Sequence, residues 1–137
     1  MFGAKGKLLF KFLKGILFAL FAWLVIGPIT ILVPRNKKLI AVIGKDGGAL
    51  LDNCKYFFLQ SQQHLVGQQK CIFITNKKEV LEILQKENLP VIIYPSLAGA
   101  WFLMRANIVV VDSFEWFKQL RFFLTLGAKK LQLWHGV

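Results

Sequence analysis

Acidic residues are scarce in this chain, seven against 18 Lys and Arg, and residues 1–38 contain none. Histidine and cysteine number only two each. Cys54 and Cys71 stand 17 positions apart, with no second cysteine pair and no histidine cluster, which excludes the usual zinc-ligand spacings. Both lie in apolar or amphipathic stretches and read as reduced, packed thiols. Paired carboxylates, a nucleophile elbow, a P-loop and a G-x-G-x-x-G turn are all missing from the sequence, so none of those catalytic or phosphate-binding signatures applies. No internal repeat or low-complexity tract occurs. No metal and no cofactor is expected.

What the chain has in excess is apolar residues and positive charge. Apolar types make up 55% of its 137 residues, and mean hydropathy is +0.52. Most of the charge sits at the front: residues 1–38 hold seven of the net +11. Lys and Arg beside an apolar run point to a membrane surface with anionic lipids. No nucleic-acid recognition motif accompanies the charge, and no nucleic acid is expected as a partner.

Residues 15–33 form a run of 19 without a charge. As a helix that run would extend ~28 Å, close to the ~30 Å hydrocarbon core. Upstream, Leu8, Leu9, Phe12 and Leu13 alternate with Lys5, Lys7, Lys11 and Lys14, an approach helix suited to the interface. Trp23 is an interfacial aromatic, and Pro28 breaks the hydrogen-bond ladder inside the run. Basic residues flank both ends, Lys14 before and Arg35 after, which the positive-inside rule places on the cytoplasmic face. A simple span satisfies one flank and a re-entrant hairpin satisfies both, and the sequence leaves the two open. The predicted location is the cytoplasmic face of the cell membrane, with residues 1–38 as anchor and linker.

From residue 39 to 137 short apolar runs alternate with helical patterns. Strands are predicted at 39–43, 71–74, 91–94, 108–111 and 130–134. Helices are predicted at 52–65, 77–87, 97–105 and 114–126, capped by Asp52 or Asn53, Asn76 and Ser96, with Gly127 closing the last. Continuous Val/Ile runs and this alternation predict an α/β fold, a Rossmann-like parallel sheet of about five strands.

Ligands of such sheets bind outside the carboxyl ends of the strands. There the sequence places His135, a side chain poised to take a proton near neutral pH, although a strand-end histidine is as often a packing residue. His64 ends a Gln-rich helix and reads as solvated. The loop at Gly44, Gly47 and Gly48 allows close backbone approach to a phosphate, or is a plain turn. Asp112 and Ser113 end the fourth strand, either orienting a reacting group or capping the next helix.

The stretch Asp52-Asn53-Cys54-Lys55-Tyr56-Phe57-Phe58-Leu59 resembles the D-N-S-K-Y-L-F-L stretch of the CDP-glycerol glycerophosphotransferase family. Residues 108–113 resemble that family's v-v-v-D-S strand end, and residues 131–136 its Q-L-W-H-G motif. The resemblance covers roughly residues 39–137, the N-terminal lobe of a GT-B-like fold, and Cys54 replaces a small polar residue. It implies a transferase moving glycerol phosphate or a similar alditol phosphate from a CDP donor to a hydroxyl on a lipid-linked acceptor, in teichoic-acid-type polymer synthesis. His135 would then be the general base. Gly47, Gly48, Asp52, Asp112, Ser113 and Gly136 are candidate contacts to acceptor or donor. Lys7, Lys11, Lys14, Trp23, Pro28 and Arg35 are candidate membrane contacts. The family's second lobe carries most of the CDP-alditol site, so this chain is expected to be one wall of a cleft and inactive alone. Two other functions stay open: a non-catalytic membrane-anchored Rossmann-like binding module, and a GT-B glycosyltransferase using a nucleotide sugar.

Overall fold

The computed structural model describes residues 3–65 and 67–133. Five strands, β1 (Asn36–Ile43), β2 (Lys70–Thr75), β3 (Val91–Ile93), β4 (Ala106–Val111) and β5 (Lys129–Gln132), form one sheet in the order β3-β2-β1-β4-β5. Every pairing is parallel. The fold is therefore the Rossmann-like α/β sheet expected from the alternation.

Side chains alternate across the central strands, as a period of two requires. Ile40, Val42, Cys71, Phe73 and Val110 face one side, with Phe58 of α3 (Asp52–His64) and Val80 and Leu84 of α4 (Lys78–Lys86). Ala41, Ile43, Ile72, Ile74, Val109 and Val111 face the other, with Phe102 and Leu103 of α5 (Leu97–Arg105) and Leu124 of α6 (Arg121–Leu124). Both faces of the sheet are thus covered, which is why its strands read as unbroken apolar runs.

Ser96 caps α5, accepting from the Gly99 N–H at 2.9 Å. Asn76 does not cap α4, whose cap position is Lys77 and carries no side-chain capping bond. Three other boundaries also differ from expectation. The strand predicted from residue 39 begins at Asn36, so Lys37 and Lys38 belong to β1 rather than to a linker. Neither Asp52 nor Asn53 caps α3: the cap position is Leu51, and Asp52 is left-handed at φ 53°. The helix predicted over 114–126 is a 3₁₀ turn, Phe114–Phe117, followed by the four-residue α6. Between them Gln119 and Leu120 take φ of 58° and 65°, which no continuous helix accommodates. The apolar spacing there reflects packing on the sheet, with Trp116 and Leu120 against its α5–α6 side.

The N-terminal segment is continuous: α1 (Ala4–Phe21), a π-helical turn (Ala22–Ile26) and α2 (Gly27–Leu32). Its stretch Lys5–Leu32 is one helix long and apolar enough to cross a membrane. The π turn lies just ahead of Pro28, with the Gly27 N–H donating to Ala22 O. It loosens the ladder where the proline ring would otherwise meet a carbonyl. The chain does not reverse here, so the re-entrant hairpin is not the form it takes.

The second half of this helix is docked on the sheet domain. Ala22, Gly27 and Thr30 are buried. Trp23 meets Phe123 edge-on at 5.3 Å between ring centroids, and a Cβ on Gly27 would lie 3.5 Å from Leu126 Cδ1. Small residues let the two backbones approach. Arg35 then locks the junction. Its guanidinium donates to Leu103 O at 2.8 Å, to Ala106 O at 2.9 Å, and to Leu124 O and Leu126 O. These carbonyls end α5 and α6, where helices leave acceptors unpaired and carry partial negative charge. Arg35, expected to meet lipid, is instead a clamp inside the protein. Burial lowers its pKa below the ordinary arginine value.

Arg35→Ala should therefore destabilise the fold by about 2–4 kcal/mol, because charged hydrogen bonds to part-buried carbonyls are lost together. Lys37→Ala, at an exposed position, should change stability by less than about 0.5 kcal/mol. Denaturant unfolding of both variants checks this; equal effects would remove the clamp role.

Candidate functional site at the sheet switch point

From β1 the chain steps outward to β2 and β3, then returns to the other side of β1 as β4. The carboxyl ends of β1 and β4 lie side by side, with Ile43 opposite Val111. Loops diverge from this point in opposite directions, leaving the crevice in which such sheets bind ligands. Its walls are the loop after β1, residues 44–51, and the loop after β4, residues 112–120.

The first wall is built by close approach. Gly48, at φ 141°, sits where a Cβ would lie 2.3 Å from Thr75 Cα. Thr75 Oγ1 donates to Gly48 O at 2.8 Å, and the Asn76 N–H donates to Gly47 O at 3.1 Å. The Gly48 and Ala49 N–H groups both donate to Lys45 O. These glycines thus seat the β1 loop on the end of β2, and two of its amides are used within the turn. Asp52 opens α3 on the exposed side of this loop.

The second wall is organised by Arg121, a residue not singled out in the sequence. It is 2% exposed. Its Nε donates to Lys118 O at 3.0 Å and its Nη1 to Gly47 O at 3.2 Å, joining the two walls. The guanidinium lies 5.9 Å from the Tyr94 ring centroid. Tyr94 in turn donates its hydroxyl to Gln119 O, holding the left-handed pair in place. Burial lowers the Arg121 pKa and raises that of Tyr94, each partly offset by the other. No local pattern marked Arg121, because its bond across the crevice goes to Gly47 O, 74 positions away, and only Lys118 O is a local partner.

Between the walls lies a cavity of about 150 Å³, reached by Asp46, Asn76, Glu115, Lys118 and Arg121. Lys118 Nζ is 3.0 Å from Glu115 Oε1. Lys118 and then Asp46 hold the Glu115 carboxyl below its ordinary value. Two larger hollows, about 370 and 390 Å³, lie beside Lys70, which begins β2, at the opposite edge of the sheet. They are remote from the switch point. Among the described residues no group of three or more His, Cys, Asp or Glu could hold a metal ion.

Asp112 ends β4 buried at 3% exposure, and Ser113 is half-buried. Ser113 occupies the position before the 3₁₀ turn without a side-chain capping bond. Behind Asp112 lies Cys54, whose thiol donates to Ile43 O at 3.6 Å. Burial first, and Asp112 second, push that thiol up from the usual value near 9 to about 12. Cys71 is also raised by burial, and both cysteines are free and buried, as the sequence suggested. His64 is exposed and pairs with Gln60 at 3.1 Å. The sheet reaches the crevice beside β4, where the Leu133 N–H donates to Val111 O at 2.7 Å. His135 and Gly136, two of the expected site residues, lie outside the described residues.

Compared with known proteins, the chain matches no family model, and a search of curated proteins finds no match.

The thiol shift has a measurable sign. The folded state keeps the Cys54 proton that the unfolded state releases near pH 9. The corresponding stability is whole below that pH and falls as pH rises toward about 12. Cys54→Ala should flatten the alkaline limb of a stability–pH profile relative to the parent. In the native protein at pH 8, thiol reagents should label neither cysteine until the chain unfolds; rapid native labelling of Cys54 would contradict its burial.

Proposed function

We propose that this chain is the acceptor-side lobe of a membrane-associated transferase. The enzyme moves glycerol phosphate, or a similar alditol phosphate, from a CDP donor to a hydroxyl of a lipid-linked acceptor. One observation carries the reading: a switch-point crevice and an apolar, basic helix are fixed to each other in a single unit. A transferase with one water-soluble donor and one lipid-linked acceptor needs that combination. The residues that resemble the CDP-glycerol glycerophosphotransferase family support it, because Asp52 begins α3 after the β1 loop and Asp112 and Ser113 follow β4 at the crevice. The partners are anionic lipids, the lipid-linked acceptor and a CDP-alditol held largely by a second lobe. The working site is the cytoplasmic face of the membrane.

In this proposal His135 removes the proton from the attacking acceptor hydroxyl. The oxygen attacks the alditol-bearing phosphorus, the bond to the CMP oxygen breaks, and CMP leaves. A hydroxyl near neutral pH needs such a base, and general-base catalysis contributes about 10²–10⁴-fold. Arg121 acts through position, holding the β1 and β4 loops at the width the acceptor requires.

The test is CMP release from CDP-glycerol by membranes carrying the product of the whole reading frame, with a lipid-linked acceptor present. His135→Ala should lower release by about 10²–10⁴-fold with membrane binding unchanged. Undiminished release in the variant would remove the base role. Absence of release by the parent with every CDP-alditol tried would remove the transferase reading.

A further inference from the structure

The docked helix constrains how the protein meets a bilayer. Residues 15–33 are the uncharged run, but Ala22, Gly27 and Thr30 within it are buried against the lobe. A conventional span through that run would carry α6 into hydrocarbon or tear the contact apart. The remaining free length, α1, holds Lys5, Lys7, Lys11 and Lys14.

The phase of these lysines decides the alternative. At 100° per residue, Lys7, Lys11 and Lys14 fall within about 80° of the direction of Ala22. They share the side of the helix that faces the lobe. The opposite side carries Leu13, Leu17, Leu20 and Leu24, each 49–72% exposed. Beyond the π turn Ile31 and Leu32 are 70% and 82% exposed. The lysine side also carries the exposed Leu8, Phe12 and Phe18, so it is mixed, whereas the opposite side is apolar throughout and has no protein cover among the described residues.

Its direction follows from the contacts. Trp23 meets Phe123, Gly27 meets Leu126, and Arg35 reaches Leu124 and Leu126. The helix runs parallel to α6, which descends from the crevice edge toward the start of β5. Residues before Ala22 therefore extend past the crevice edge, by about 27 Å for 18 helical residues.

We infer that this helix lies in the plane of the membrane interface rather than across the bilayer, its Leu13–Leu17–Leu20–Leu24 side in lipid and its lysine side and the lobe facing water, so that the switch-point crevice opens along the leaflet over the free half of the helix. The occupant of the apolar side is a lipid surface. The apolar side is continuous from Leu13 to Leu24, and the lysines on the other side of α1 match anionic head groups. A lipid-linked substrate then reaches the crevice laterally, its tail in the leaflet and its head group beside Lys7, Lys11 and Lys14. The inference rests on the membrane-associated reading above and adds its geometry.

The experiment uses the full chain bound to vesicles of phosphatidylcholine and phosphatidylglycerol. Nitroxide labels are placed singly at Lys7→Cys, Lys11→Cys, Leu13→Cys, Leu17→Cys, Leu20→Cys and Leu24→Cys, all exposed positions. Depth is read from the balance of oxygen and nickel-chelate accessibility. Labels at 13, 17, 20 and 24 should share one shallow depth, about 5–10 Å below the head groups, and those at 7 and 11 should remain in water or head groups. A depth that increases steadily from 13 to 24, whichever side the label is on, would establish a span and overturn the inference while leaving membrane association intact. Failure of the unlabelled chain to bind vesicles would overturn both.

Discussion

Arg35 gathers the carbonyl oxygens at which α5 and α6 end. A planar cation with five donors is suited to that task, and an ammonium could not serve so many acceptors at once. Everything between the helix and the sheet depends on it. The residue comes three positions after the end of α2 and directly precedes β1, so fixing it fixes the connection between them. Lys130 adds a second cation at the same place, donating to Thr125 O at 2.6 Å. Burial, and then the charge of Arg35, lower its pKa. Two positive groups tolerate each other there because helix carboxyl ends supply negative potential.

Arg121 has the corresponding task at the opposite edge. It ties Gly47 to Lys118 across the switch point, as Arg35 ties α5 to α6. The buried cations are thus used to set distances between loops, while the exposed lysines of α1 are left for solvent or head groups. An aromatic series, Trp116 to Phe122, Phe122 to Phe123 and Phe123 to Trp23, connects the crevice wall to the helix. The crevice and the N-terminal helix are consequently parts of one packed body.

Much of the fold was legible in the residues because it rests on periodicity and local chemistry. Val/Ile runs gave the strands and the Ser96 cap gave α5, but Gly127, expected to close the last helix, lies beyond its end, since α6 stops at Leu124 with Thr125 as the cap. The broken helix at 114–126 was not legible. Its apolar spacing suits a helix equally well, and the left-handed Gln119 and Leu120 are held by Tyr94, a partner 25 positions away. Arg35 was misread for the same reason: a basic residue after an apolar run looks like a lipid contact until its distant carbonyls are known. For the candidate site, the structure places Gly47 and Gly48 after β1 and Asp112 and Ser113 after β4, beside the paired carboxyl ends of those strands. The need for Gly48 came from the approach of Thr75, which no local spacing reveals.

The account stands on the helix and the lobe being one rigid body. The most direct measurement is the distance distribution between spin labels at Leu17→Cys and Glu82→Cys in the vesicle-bound protein. Leu17 lies on α1 and Glu82 on the exposed side of α4, on the other face of the sheet. A single narrow distance, broadened when Arg35 is replaced by Ala, is the expected result. A broad distribution in the parent protein would mean that the helix moves independently of the crevice, and would contradict the account.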